Sequence, residues 1–247
     1  MNLAQKIAKE STITFLGLVY GNVNRYLYTA LLARWVGIEY LGIYSLANAI
    51  MLIGEVIAKM GLETGVMRFV SRLDAKTEKT QIQTIIQSAL KMTGIFSIGI
   101  AILLAGFAWL LVSMYKGTSL LYTAIIVFSF TIPFNAITLV AAFATQGFKL
   151  LKYKVLTTQF LNPTVLLLAM LISYWFISKE SAIILPMVIT GVLGSMTMFL
   201  ILKNISGVKL GGVLSAPFDR DLLAYSFPLM LVTILQTFMH WMDILML

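Results

Sequence analysis

Apolar runs longer than a bilayer is thick recur along the whole chain, separated by short polar breaks. A helix needs roughly 20 residues to cross about 30 Å of hydrocarbon, and each run meets that length. Only helices and closed barrels satisfy every backbone group in lipid, and these runs are too continuous for the alternating pattern of barrel strands. Composition agrees, because 60% of the 247 residues are hydrophobic and 11% are charged. Soluble domains carry about 25% charge. The fold class is therefore all-α, a polytopic membrane helix bundle.

Seven spans are expected, near 12–34, 41–61, 93–114, 119–146, 155–178, 181–202 and 222–247. The third follows an amphipathic stretch, TQIQTIIQSALK (80–91), whose Ile82, Ile85, Ile86, Ala89 and Leu90 share one face and whose helix is expected to start in the headgroup region. On its other face Gln83, Gln87 and Lys91 recur at helical spacing, and Lys91 reads as an interfacial anchor. The first run continues to Leu32 without a short core and small-residue cleavage site, so it reads as a retained span and not as a signal peptide.

Lys and Arg divide unevenly between alternate loops. One side holds twelve of them: Lys6, Lys9, Arg68, Arg72, Lys76, Lys79, Lys149, Lys152, Lys154, Lys203, Lys209 and Arg220. The other holds Arg34, Lys116 and Lys179. The positive-inside rule makes the first side cytoplasmic and puts the N-terminus there, in a cytoplasmic membrane. The formal net charge of +8 is thus topology and calls for no nucleic acid, while anionic lipid heads are drawn to the same face. With no cysteine there is no disulfide and no thiolate metal site.

The longest cytoplasmic loop, NISGVKLGGVLSAPFDRD (204–221), is rich in Gly and Ser, as a connector is. The expected organisation is a six-helix lobe over 1–203, a linker over 204–221 and the first helix of a truncated second lobe over 222–247, which packs weakly on the bundle or projects from it. The chain reads as a fragment of a repeat-built transporter.

Polar residues inside the spans single out candidate sites. On the first helix Thr14, Gly17, Gly21, Asn24, Arg25 and Tyr28 fall at three- and four-residue spacing, so they share a face on which small residues permit close helix approach. Arg25 is nine residues from Arg34 and so about 14 Å below the outer surface. Facing lipid there costs at least about 2.5–3.5 kcal/mol, so Arg25 must face a partner or a watery cavity. It either binds a ligand or makes a structural tie to a carbonyl or to Glu55. The second helix repeats the pattern with Tyr44, Asn48, Glu55 and Lys59; Glu55 and Lys59 either line the cavity or neutralise each other in the favourable i,i+4 order. Pro133, Pro163, Pro186 and Pro228 interrupt four later spans, each removing a backbone donor. On the last helix Gln236, His240 and Asp243 form one stripe, with His240 and Asp243 as coupling-ion candidates.

Enzyme signatures are missing from the sequence. DRD (219–221) has the Asp-x-Asp form of metal-dependent glycosyltransferases but stands alone just before a span, and no P-loop, HExxH or GxSxG occurs. A non-enzymatic protein without cofactor or metal is expected. The sequon NIS (204–206) falls on the cytoplasmic side and reads as accidental.

The segments LLARWVGIEYLGIYSLANAI (31–50), GLETGVMRFVSR (61–72), TQGFKLLKYKV (145–155) and YSFPLMLVTILQTFMHWMDILML (225–247) resemble, in order and spacing, the polysaccharide transporter family of oligosaccharide flippases, within the multidrug/oligosaccharidyl-lipid/polysaccharide superfamily. The resemblance spans the chain. It implies a two-lobed fold around a central cavity, of which this chain holds the first six-helix lobe and the entry to the second. It implies a flippase that moves a polyprenyl-diphosphate-linked glycan to the outer leaflet, working beside glycosyltransferases and a polymerase of the same pathway. Arg25, with Asn24 and Tyr28, then meets the diphosphate, and Asn48, Glu55 and Lys59 complete the substrate-binding set. Two alternatives stay open. A cation-coupled multidrug exporter would want carboxylates in place of Arg25, and a membrane glycan polymerase or ligase would want a large outward loop where this chain has only WVGIEY, YKGTS and SKES.

The charge count generates one test. A reporter inserted within 73–79 should read cytoplasmic and one within 116–118 external; the opposite labelling would reverse the orientation and with it the direction of transport.

Overall fold

The computed structural model describes residues 3–73, 77–114, 118–208 and 210–245. All elements among the described residues are helical: α1 (Leu3–Leu31), α2 (Ile38–Lys59), α3 (Leu62–Arg72), α4 (Lys79–Met114), α5 (Ser119–Gly147), α6 (Leu151–Val155), α7 (Asn162–Phe176), α8 (Ser181–Ser206), α9 (Leu210–Ser215) and α10 (Arg220–Leu245). Two π-helical turns join them, Leu32–Val36 after α1 and Leu156–Leu161 between α6 and α7. The chain is a polytopic helical bundle.

Five helical stretches are long and apolar enough to cross a membrane: Ile38–Lys59, Lys79–Met114, Ser119–Gly147, Leu151–Phe176 and Ser181–Ser206. The first and last of the seven expected runs lie on α1 and α10. α1 is long enough, but Asn22, Asn24 and Arg25 make it more polar than those five. Large side chains such as Phe15, Tyr26, Ile102, Trp109 and Phe176 stand exposed around the bundle. An apolar girdle of that extent suits lipid and not water.

The helices alternate in direction, so Arg68, Arg72, Lys79, Lys149, Lys152, Lys203 and Arg220 gather at one end of the bundle, the basic end. α4 accounts for the amphipathic stretch at that end. It is one helix of 36 residues, about 54 Å long, and therefore overshoots the hydrocarbon. Ile82, Ile85, Ile86, Ala89 and Leu90 are all buried. The opposite stripe holds the linker: Gln83 donates to the Ser206 carbonyl, Lys91 Nζ donates to the Ala216 carbonyl at 2.8 Å, and Ser88 Oγ accepts from the Asp219 amide at 3.1 Å. Asp219 then caps α10, accepting from the Leu222 amide at 3.0 Å.

The second expected span, 41–61, stops sooner than its apolar pattern. Met60 and Gly61 turn left-handed with φ of 47° and 72°, and the chain restarts as the short α3 along the basic end. A side chain at Gly61 would run into the backbone of Ser226 and Met230, and one at Gly65 into Ser226. α10 uses these two gaps to dock, burying Leu222 and Ser226 completely. Beyond Met230 it exposes Leu231, Val232, Leu235 and Met239. The last helix is thus seated on the Gly61–Gly65 stretch by its first three turns.

Packing divides into two apolar cores. At the basic end Val66, Ile86, Met92, Ala144, Met198 and Leu202 interlock between α3, α4, α5 and α8. Toward the other end Tyr28, Leu32, Ala58, Phe128, Ile132, Met170 and Ile183 do the same between α1, α2, α5, α7 and α8. Where α2 crosses α4 and α5, Gly54 admits Leu104 and Ile132; a Cβ there would stand 2.6 Å from Leu104 and 3.0 Å from Ile132. Gly54→Val should therefore cost about 1–3 kcal/mol of stability by overpacking. Gly106→Ala on α4, where nothing lies within 4 Å of the added carbon, should be neutral or stabilising. Thermal unfolding in detergent compares the two, and equal melting temperatures would refute the close packing at Gly54.

Candidate functional site

Between the two cores the sequence supplies polar side chains at positions that face inward, and a cavity of about 550 Å³ opens there. Its walls come from five helices. α1 contributes Arg25, Tyr28 and Thr29; α2 contributes Tyr44, Asn48 and Glu55; α5 contributes Asn135 and Thr138. The π turn and α7 add Thr158 and Asn162, and α8 adds Thr190.

Arg25 is held by the π turn. Within that turn the Asn162 amide bonds the Thr157 carbonyl, and the next residue, Pro163, has no amide hydrogen. The Thr158 carbonyl is left without its usual helical donor, and Arg25 Nη2 supplies one at 3.2 Å. The same nitrogen donates to Gln159 Oε1 at 3.2 Å, and Nη1 donates to Asn22 Oδ1 at 3.2 Å. All three partners are neutral, and among the described residues no carboxylate lies within ion-pair distance of Arg25. Such reach across the helix interface needs α1 close to the π turn. Gly21 provides it, since a Cβ there would stand 2.6 Å from Gln159 Oε1 and 2.9 Å from its carbonyl oxygen; Gly17 does the same against Val155 and Phe160.

Tyr28, 1% exposed, lines the cavity with its ring 5.2 Å from that of Tyr44, which in turn meets Phe128 edge-on at 6.1 Å. Across the cavity, Asn135 Nδ2 and Thr131 Oγ1 approach Met51 Sδ at 3.8 and 3.2 Å. Asn162 Oδ1 and Thr190 Oγ1 are buried and make no hydrogen bond. Polar atoms left so in an interior are costly unless water or a ligand meets them, and these two line the cavity.

Of the residues singled out by sequence, Arg25, Tyr28, Asn48 and Glu55 come together on this wall. Asn24 does not join them. It is buried against its own helix, with Nδ2 donating to the Tyr20 carbonyl at 2.9 Å. Lys59 also lies outside the lining. Its Nζ sits 3.1 Å from Glu55 Oε1 and 4.0 Å from Glu63 Oε1, so one buried cation is shared by the half-buried Glu55 and, across the Met60–Gly61 bend, the buried Glu63. Glu55 is therefore tied to Lys59 and not to Arg25, and the structural tie of Arg25 is to a carbonyl. His240 and Asp243 fall on α10 where side chains lie outside the described residues. Sequence reading missed Asn135, Thr138, Asn162 and Thr190, which sit on later helices as isolated polar residues without a stripe. Among the described residues no cluster of His, Asp or Glu is fit to hold a metal.

A family model described as polysaccharide biosynthesis protein matches residues 7–247. No curated protein and no solved structure matches the chain.

The shared lysine makes a prediction about stability. Lys59→Ala leaves the buried Glu63 and the half-buried Glu55 without their shared partner and should cost up to about 3–5 kcal/mol. Adding Glu55→Gln and Glu63→Gln should recover most of that loss in thermal unfolding, and a Lys59→Ala protein as stable as the parent would show that the three groups are not coupled.

Proposed function

The chain belongs to the polysaccharide biosynthesis protein family, and from that premise we propose that it is a non-enzymatic flippase for a polyprenyl-diphosphate-linked oligosaccharide. The carrying observation is Arg25, a permanent cation that opens on a polar cavity between two apolar cores and has only neutral partners. Neutral partners orient a guanidinium without cancelling its charge. An anion entering the cavity therefore meets a cation whose charge no carboxylate cancels. The planar fork pairs bidentately with phosphate oxygens and never deprotonates.

The difficult part of such a cargo is its charged, hydrated head, since the prenyl chain is at home in lipid. Arg25 takes the diphosphate. Asn48, Asn135, Asn162 and Thr190 carry the donors and acceptors that sugar hydroxyls need, and two of their oxygens are unpaired. Tyr28 and Tyr44 give the cavity an aromatic face. The chain moves its cargo and makes or breaks no bond in it. The basic end lies in the cytoplasm, where glycosyltransferases assemble the glycan, and transport delivers it to the outer leaflet of the cell membrane for a polymerase.

Arg25→Ala should abolish export of the lipid-linked glycan while the protein inserts at normal abundance, and Arg25→Lys should restore only part, since it keeps charge and loses the fork. Because Glu55 already has Lys59, the double change Arg25→Ala with Glu55→Ala should recover nothing. Export assays with protein levels measured alongside decide this, and recovery in the double variant would end the phosphate-binding role.

A further inference from the structure

A second concave site lies on the outside of the bundle, where α1 meets α6 and the π turn. Ile13, Tyr153, Leu156 and Phe160 line a groove of about 350 Å³ with Lys152 at its basic end. Its back is closed because Gly17 lets α1 come down on Val155 and Phe160. Beside it Tyr20 stacks on Phe160 at 4.9 Å and is fixed by a 2.9 Å hydrogen bond between the Tyr20 and Thr164 hydroxyls. The groove is thus apolar with a single cation on its lining.

The three lysines of KLLKYKV (149–155) separate accordingly. Lys154 turns inward, donating to Gln146 Oε1 at 3.0 Å and covering the Phe143 ring at 3.4 Å. Lys149 and Lys152 are exposed, and Lys152 stands on the groove lining with its Nζ 4.8 Å from the Tyr153 ring centre. Leu156 is 52% exposed on the outer surface of a bundle girdled by apolar side chains.

We propose that this groove holds one phospholipid with an anionic head, its acyl chain against Leu156 and Phe160 and its phosphate beside Lys152. An apolar slot in contact with bilayer takes a hydrocarbon chain, and the charge on its lining selects which head that chain carries. A lysine near an anionic membrane surface is worth about 1 kcal/mol, or about fivefold in preference. The lipid packs on the outer side of the turn, away from the face that presents Thr158 and Gln159 to Arg25. This site is separate from the cavity and does not depend on what the cavity carries.

Native mass spectrometry of the purified protein tests it, with phosphatidylglycerol and phosphatidylcholine of identical chains and with soluble glycerol phosphate as probes. One phosphatidylglycerol should be retained in preference to phosphatidylcholine, and glycerol phosphate should not be retained. Lys152→Gln should lower that preference about fivefold, Leu156→Trp should fill the slot and reduce retention of both lipids, and Arg25→Ala should change nothing. Equal retention of the two lipids, retention of glycerol phosphate alone, a preference that survives both groove variants, or its loss in Arg25→Ala would each overturn the assignment.

Discussion

The hydrogen bond from Arg25 to the Thr158 carbonyl fixes the cation of the cavity lining. A guanidinium at that depth must have partners, and a membrane helix has few to offer because its backbone is already paired. Pro163 and the π turn create one by withdrawing the helical donor from Thr158. Gly17 and Gly21 then bring α1 near enough to use it. The charge is placed without being neutralised, and the space around it stays polar between two tightly packed apolar cores.

Much of this could be read in the sequence because lipid imposes severe rules. Apolar run length gave the bundle, and the stripe Gly17, Gly21, Arg25, Tyr28 anticipated both the close approach of α1 and the cavity wall. The amphipathic stretch 80–91 buries the face its pattern assigned. What escaped was whatever depended on partners from distant helices. Nothing local marks 156–161 as a π turn, and Asn135, Asn162 and Thr190 acquire meaning only when three helices converge. Asn24 shares a stripe with Arg25, yet its side chain is short enough to bond its own backbone four residues back. Lys59 has an acid on either side in sequence, so its charge is spent locally.

Charge is sorted in the same way throughout. Acids are matched by a lysine at the bend between α2 and α3, the linker is held by neutral and cationic groups of α4, and the surplus cations line the basic end. Arg25 is the cation of the cavity lining, and its partners are all neutral. The proposed cargo has an anionic head that would meet this cation, which is why Arg25 carries the functional reading.

The most direct test is the side-chain ¹⁵N NMR signal of Arg25, assigned by its loss in Arg25→Lys and followed as a polyprenyl diphosphate is added to the protein in nanodiscs. The account predicts that the Nη signals shift on binding, as the guanidinium trades the Thr158 carbonyl for phosphate oxygens, and that a polyprenyl alcohol without phosphate leaves them in place. An Arg25 signal unmoved by the diphosphate, or moved equally by the alcohol, would contradict it.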